Sequence, residues 1–369
     1  MARQPRKKSV RAATLADVGR AAGVSAMAAS AVLNGARTSS RISPETRTKI
    51  MAAAAKLKYR PNVAARALAN RRMNTLGVAA VVYGGDLNLY FLEALNGIIE
   101  GCARHNQNTT VFALHDWTLD MAKIVGFCDG RIDGLILLGP TITKESAAML
   151  PEHTFFAALH PNVLMPNIVN VESDEEHGAY DMVRHLVSVG HRRIMHISGK
   201  QGLLGAKRRI DGYLRALKDS GIPFDTELLV EGDFSATNGQ IAAEAWLAGH
   251  EGRPLPTAIF CGNDAIAVAC IEVLAKRGIR VPTDVSVCGF DDSLAARSTV
   301  PQLTTVRQPL RQMGSRAVDL LLERIQQAHS ATHELPKSVG SVVFATELAL
   351  RDSVATPGTG KLVPPATKR

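Results

Sequence analysis

The sequence predicts a small α-helical head followed by a larger α/β core built as two lobes of doubly wound parallel sheet. Three observations carry this reading. Positive charge is concentrated at one end: residues 1–75 hold 16 Lys and Arg against Asp17 and Glu45, whereas the remaining 294 residues carry 27 Lys and Arg against 32 Asp and Glu. The first 60 residues contain three short helical patterns and no strand pattern. From residue 76 to 354, apolar runs alternate with helical stretches, over a length that exceeds one layered sheet unit.

The head opens on a basic arm, Arg3 to Arg11, and then on Thr14-Leu15-Ala16-Asp17, a capping box that starts a helix with Leu15, Val18 and Ala22 on one face. Gly23 ends it and Ser25 caps a second helix, Ala26 to Asn34, with Ala29, Val32 and Leu33 inward and Ala26, Met27 and Ser30 outward. A third begins at Ser43-Pro44-Glu45 and runs through Ile50, Ala54 and Leu57. Two short helices joined by a Gly-containing turn and braced by a third form a helix-turn-helix, whose second helix fits the DNA major groove. The charge supports a polyanionic partner, since basic side chains release counterions condensed on nucleic acid.

In the core, strands are predicted at Leu76–Val82, Thr110–Leu114, Gly134–Leu138, Phe155–Leu159, Ile168–Val171, Arg193–Ile197, Ala258–Cys261, Val285–Gly289 and Ser341–Thr346. Helical patterns lie between them at Phe91–His105, Gly178–Val189, Arg208–Ser220 and Ala265–Lys276. Open parallel sheets bind ligands beyond the carboxyl ends of their strands. Asp174, Arg209, Asn263, Asp264, Asp291 and Asp292 stand at such ends, where a polar residue is a ligand contact, a helix cap or a surface ion pair. Asp264 and Asp292 are left with the reading of a helix cap or a surface ion pair.

Other classes find less support. No GxGxxG follows a strand, and GxxxxGK[ST], GxSxG, CxxC and HExxH do not occur, so neither an enzyme nor a cofactor or metal site is expected. His160, His185, His191 and His196 are bases in principle, but His191 reads as structural. The five cysteines are odd in number and scattered among apolar residues, which predicts reduced core thiols. No apolar run reaches the ~18 residues of a membrane helix, and Ser9 to Ala13 is not the apolar segment of a secretion signal. A cytoplasmic, nucleoid-associated protein is expected, with no membrane partner.

The segments Thr14-Leu15-Ala16-Asp17-Val18, Ala21-Ala22-Gly23-Val24-Ser25, Val32-Leu33-Asn34-Gly35, Ser43-Pro44-Glu45-Thr46-Arg47 and Tyr59-Arg60-Pro61-Asn62 resemble the DNA-binding head of the LacI/GalR-type bacterial transcription regulators. The resemblance continues through Gly190-His191-Arg192-Arg193-Ile194, Arg209-Ile210-Asp211-Gly212-Tyr213, Phe260–Asp264, Gly289-Phe290-Asp291-Asp292 and Leu303–Pro309, which are similar to the family's effector-binding core, a fold like that of periplasmic sugar-binding proteins. It implies a regulator, of the repressor type, that binds palindromic double-stranded DNA as a homodimer under control of a carbohydrate-like effector. A sugar-binding protein or an α/β enzyme without operator-specific regulation is the alternative.

By that resemblance, Thr14, Ser25, Ala26, Met27, Ser30, Asn34, Arg37, Arg41, Ser43, Thr46, Arg47 and Tyr59 of the head contact DNA, and Asn62, Ala65, Arg66 and Leu68 belong to a hinge helix whose leucine wedges into the minor groove. Tyr90, Phe91, Asp174, Arg209, Asn263 and Asp291 contact the effector, and Arg209→Ala or Asp291→Ala is expected to weaken the effector response while sparing the fold. The implied domains are a head over 1–60, hinge and linker over 61–75, a first lobe over 76–190 and 307–330, a second over 191–306 and 331–354, and a disordered tail over 355–369 without the heptads of a coiled coil. Two departures stand out. Ala28-Ala29-Ser30-Ala31 replaces the family's Thr-Val-Ser-Arg, and Gly35 to Arg41 makes a longer loop with two arginines and three hydroxyls. The apolar pair Ala26-Met27 leaves thymine-methyl contact as the chemistry for reading bases.

Overall fold

The computed structural model describes residues 12–34, 42–60, 72–82, 89–165, 167–330, 340–358 and 361–364. The chain divides into two compact units, residues 1–74 and 75–369.

The first unit holds helices α1 (Leu15–Ala22), α2 (Ala26–Asn34) and α3 (Pro44–Lys56). The capping box forms as the sequence predicts: Asp17 N–H donates to Thr14 Oγ1 at 3.3 Å while Thr14 N–H donates to Asp17 Oδ2 at 2.9 Å. Gly23 ends α1 with φ +71°, a left-handed conformation that glycine adopts without steric cost. Ser25 and Ser43 cap α2 and α3 through the amides of Ala28 and Thr46. Val18, Ala29, Ile50, Ala53 and Ala54 form a small core, edged by Leu15, Val32, Leu33 and Tyr59.

The second unit is built on two six-stranded sheets. The first comprises β1 (Thr75–Val81), β2 (Asn108–Leu114), β3 (Gly134–Leu138), β4 (Phe155–Leu159), β5 (Val169–Ser173) and β11 (Ser341–Phe344), ordered β11-β5-β4-β3-β1-β2 and parallel throughout. The second comprises β6 (Ile194–Ile197), β7 (Leu229–Val230), β8 (Ala258–Cys261), β9 (Ser286–Asp291), β10 (Thr304–Arg307) and β12 (Glu347–Ala349), ordered β12-β10-β9-β8-β6-β7, with only β12 antiparallel to its neighbour. Both faces of each sheet are covered, so the strands read as continuous apolar runs. In β1, Leu76, Val78 and Ala80 meet the layer containing Ile98, Cys102 and Leu321, while Ala79 and Val81 meet Trp117, Ile124 and Cys128. The second sheet is likewise packed between Cys261, Cys270 and Trp246 on one side and Tyr213, Phe260 and Cys288 on the other.

Two helices of the first lobe, α4 (Leu89–Arg104) and the long helix Leu310–Ser330, approach closely through small residues. A Cβ on Gly97 would lie 2.1 Å from the Arg311 carbonyl oxygen, and one on Gly314 would lie 2.2 Å from that of Ala94. The obstacle is backbone, which cannot swing aside. Gly97→Ala is therefore expected to destabilise the core by about 1–3 kcal/mol, the usual cost of overpacking, and denaturant unfolding measures it.

Three sequence expectations are corrected. Helix Glu175–Val189 belongs to the second lobe, because Ala179, Met182, Val183 and Leu186 pack with Ile194, Phe260 and Phe290. The first crossing between lobes thus falls at Ser173–Glu175, not near Gly190; an amphipathic pattern shows that a helix covers a sheet but not which one. The last crossing lies between Phe344 and Glu347, not near Ser330, since β11 pairs with β5 of the first sheet. The tail is ordered over its described residues: Val363 is 2% exposed within the second lobe's core and exchanges backbone hydrogen bonds with Gly252 and Arg253. Its Pro and Gly content marked it as irregular, but irregular chain can still seal a core.

Candidate DNA-binding head and effector cavity

The head places its candidates in two groups. Ser25, Ala26, Met27, Ser43 and Arg47 are exposed, with Met27 at 71%. Thr14, Ser30, Asn34, Thr46 and Tyr59 are half-buried and partly occupied within the head. The Thr14 hydroxyl donates to Asp17 at 2.7 Å, Asn34 Nδ2 donates to Ser30 Oγ at 3.3 Å, and Ser43 Oγ donates to Thr46 Oγ1 at 3.1 Å. Asn34 Oδ1 is buried without a hydrogen bond. The outward face of α2 thus begins with a capping serine and continues as alanine and methionine. Arg37, Arg41, Asn62, Ala65, Arg66 and Leu68, together with the basic arm, lie outside the described residues.

Between the lobes lies a cavity of about 150 Å³. Five of the six effector candidates line it: Tyr90, Phe91, Arg209, Asn263 and Asp291. Asp174 does not. It is exposed and caps helix Glu175–Val189 by accepting the His177 amide at 3.1 Å, and the next residue, Glu175, faces the cavity in its place. An acidic pair at a helix start reads from sequence as two caps, and only the turn of the backbone decides which carboxylate turns inward.

Arg209 organises the floor. Its guanidinium lies 2.8 Å from Glu175 Oε1 and 3.8 Å from Asp291 Oδ1, donates to the Gly262 carbonyl, and stacks 4.0 Å from the Phe290 ring centroid. Burial works against a charge on Glu175, yet Arg209 and its neighbours hold that carboxyl below its ordinary value. Burial pushes Asp291 up to about 8, against the pull of Arg209. Asp291 also has φ +114°, outside the regions favoured by L-residues, a strain kept because β9 and the Gln308 side chain fix it from both sides. Asn263 caps helix Asp264–Lys276 through the Ile266 amide (2.9 Å) and donates to the Phe234 carbonyl (2.9 Å), leaving one lone pair and one N–H free by valence.

The sequence reading missed Arg208, Phe234 and the place of His160. Arg208 bridges Glu172 at 3.2 Å and Glu175 at 3.6 Å. His160 directly follows β4 and lines the cavity, so the strand-end rule that selects Asn263 and Asp291 would also have found it. Burial lowers its pKa to about 4 and keeps the ring neutral. His191 is structural, bonded to Thr257 and the Ala355 carbonyl. Asp264 and Asp292 also keep structural roles, the first accepting from Thr305 and Ser293, the second paired with Arg307 and Arg351. Among the described residues there is no metal-ligand cluster, and no helix is long and apolar enough to cross a membrane.

Comparison with known proteins decides the assignment. Residues 14–62 match the bacterial regulatory proteins of the lacI family and residues 183–354 match the periplasmic binding protein-like domain. The HTH-type transcriptional repressor PurR of Vibrio atlanticus is 32% identical over 85% of this chain and 92% of its own. The chain belongs to the LacI family. Catabolite control protein A of Priestia megaterium is 31% identical over 88% of this chain and 97% of its own. The lac repressor dimer bound to operator and the anti-inducer ONPF superposes with a TM-score of 0.80, at 27% identity, over 94% of this chain and all of that one. This LacI-family protein is therefore a helix-turn-helix transcriptional regulator with an effector-binding core, and its relatives are regulators and not enzymes.

Proposed function

We propose that the protein is a homodimeric, cytoplasmic repressor that binds a palindromic operator and responds to a carbohydrate or similar polyhydroxyl ring compound held between its lobes. The observation that carries this reading is the cavity itself: Glu175, Asp291, Asn263 and Arg209 offer acceptors and donors for several hydroxyls, and Tyr90, Phe91 and Phe234 offer apolar faces to a ring. A structural neighbour solved as a complex with cellobiose, the transcriptional regulator CelR, supports the carbohydrate class at 28% identity and a TM-score of 0.67. Leu92 and Ile99, seven residues apart on α4, and Val111 on β2 are exposed apolar side chains of the kind a second copy would cover. Thermal-shift screening of mono- and disaccharides, nucleosides and nucleobases tests the effector, since a ligand at ~100 times its dissociation constant adds about 2.7 kcal/mol. Gel shift with the promoter region beside the protein's own gene tests the operator. No stabilisation by any sugar, with stabilisation by a nucleobase, would move the effector to that class.

Base reading follows from α2. With Ala26 and Met27 outward, the head reads thymine methyls by apolar contact and leaves phosphate contacts to its arginines and hydroxyls. Met27→Ala is expected to weaken operator binding by about 1 kcal/mol, at the low end of the cost of one mismatched base pair. The melting temperature and the salt dependence of binding should stay as in the wild type. Titrations at several salt concentrations check both.

A further inference from the structure

Ser173 and Gln308 do not line the cavity, yet they join its two sides. Ser173 closes β5 at the first crossing between lobes, and Gln308 follows β10 at the second; both are buried. Ser173 Oγ is hydrogen-bonded to Gln308 Oε1, and Gln308 Nε2 donates to Asp291 Oδ1 at 2.7 Å. On the other side, His160 Nε2 lies 2.9 Å from Ser173 Oγ and 3.2 Å from Ser173 N, while His160 Nδ1 meets the Tyr90 hydroxyl. One continuous chain of hydrogen bonds therefore runs from Tyr90 in the first lobe, through both crossings, to Asp291 in the second.

The direction of each bond is constrained. The Gln308 carbonyl oxygen only accepts, so the Ser173 hydroxyl proton points to it and cannot also serve His160. The neutral imidazole carries one proton, and two arrangements remain. With the proton on Nε2, His160 donates to Ser173 Oγ and accepts from Tyr90, and the Ser173 backbone N–H gives up its bond to that nitrogen. With the proton on Nδ1, it donates to the Tyr90 oxygen and accepts the Ser173 backbone N–H, and the Tyr90 hydroxyl is free to donate into the cavity.

We infer that the hydrogen-bonding polarity of the bound molecule at Tyr90 selects the His160 tautomer, and that Ser173 and Gln308 are positioning residues which carry this choice to the two crossings. A ligand atom that accepts from Tyr90 draws the proton to Nδ1 and leaves Ser173 Oγ without its donor. A ligand that donates to Tyr90 leaves the Nε2 proton in place. Two ligands of equal affinity then produce different lobe linkages, so specificity of response is separated from specificity of binding. This rests on the reading of the cavity as the effector site, but its first test needs no ligand.

The full-length protein carrying ¹⁵N-histidine reports the protonation of each ring nitrogen, with His160 assigned by difference from His160→Gln. The unliganded wild type is expected to show the proton on Nε2. Ser173→Ala removes the oxygen that accepts it, and Gln308→Met frees the Ser173 proton to be donated to Nε2; each is expected to move the His160 proton to Nδ1. Unchanged ring shifts in either folded variant would overturn the relay, whatever the cavity binds. Pyridine N-oxide, an acceptor, and pyrrole, a donor, then probe polarity in the wild type. Only the first is expected to move the proton, and the same response to both, or to neither, would overturn the ligand-selection step.

Discussion

Arg209→Ala is expected to destabilise the core by about 3–5 kcal/mol, the cost of removing one partner from a buried ion pair. The side chains of Arg209 and Glu175 are 6% and 4% exposed and 2.8 Å apart, so deletion leaves a buried carboxylate whose remaining cation, Arg208, lies farther off at 3.6 Å. This differs from the expectation, drawn from sequence, that the substitution spares the fold: beside lining the cavity, Arg209 is the counter-ion of Glu175 in its floor. The pH dependence follows. Without Arg209, burial raises the folded-state pKa of Glu175 above its unfolded value, so stability is kept below the unfolded value and lost as pH rises through the folded one. The deficit should therefore shrink on acidification. Pairing the change as Arg209→Met with Glu175→Leu should recover most of the loss, because an apolar pair owes no desolvation. Denaturant unfolding of the three proteins decides, and a loss below about 1 kcal/mol for Arg209→Ala would contradict the buried-pair argument.

A chain beginning at Thr75 is expected to fold, to keep whatever ligand stabilisation the full protein shows, and to lose operator-specific binding altogether, a loss of about 4–10 kcal/mol relative to non-specific association. The division between the two compact units falls at Asn74, and the head has its own core of Val18, Ala29 and Ile50. What remains carries 27 Lys and Arg against 32 Asp and Glu, so the general attraction to phosphate disappears with the specific contacts. Retardation of DNA by the shortened chain would reassign the interface to the core.

Much of this architecture was legible because it rests on local signals. Thr14 with Asp17, Ser25, and Ser43 with Pro44 placed the helix starts of the head, and the apolar runs Gly134–Leu138, Phe155–Leu159 and Ala258–Cys261 coincide with strands to the residue. Helix Ala236–Gly249 escaped notice because alanine and glycine fill both its faces and leave little amphipathic contrast. The cavity was legible where a polar residue follows a strand directly, as Asp291 and Asn263 do. It was not legible at Glu175, where one residue along a helix start decides between solvent and interior, nor at Ser173 and Gln308, whose meeting depends on two crossings 135 residues apart. Sequence periodicity assigns a helix to a layer but not to a lobe, which is why the boundary at Gly190 moved to Ser173.

The distribution of buried sulfur gives the core a property of a different kind. Each of the four packed layers contains a thiol: Cys102 and Cys128 on opposite faces of the first sheet, Cys261 and Cys270 on one face of the second, and Cys288 on the other. All five are free and buried, and burial raises the pKa of Cys102, Cys128, Cys261 and Cys288, so that alkylating agents meet no thiolate while the layers stay closed. Modification then waits on local opening, and its rate at each site measures the free energy of opening that layer. The molecule thus carries an intrinsic clock in every layer, and the order in which the cysteines are alkylated records whether the two lobes come apart together or in turn.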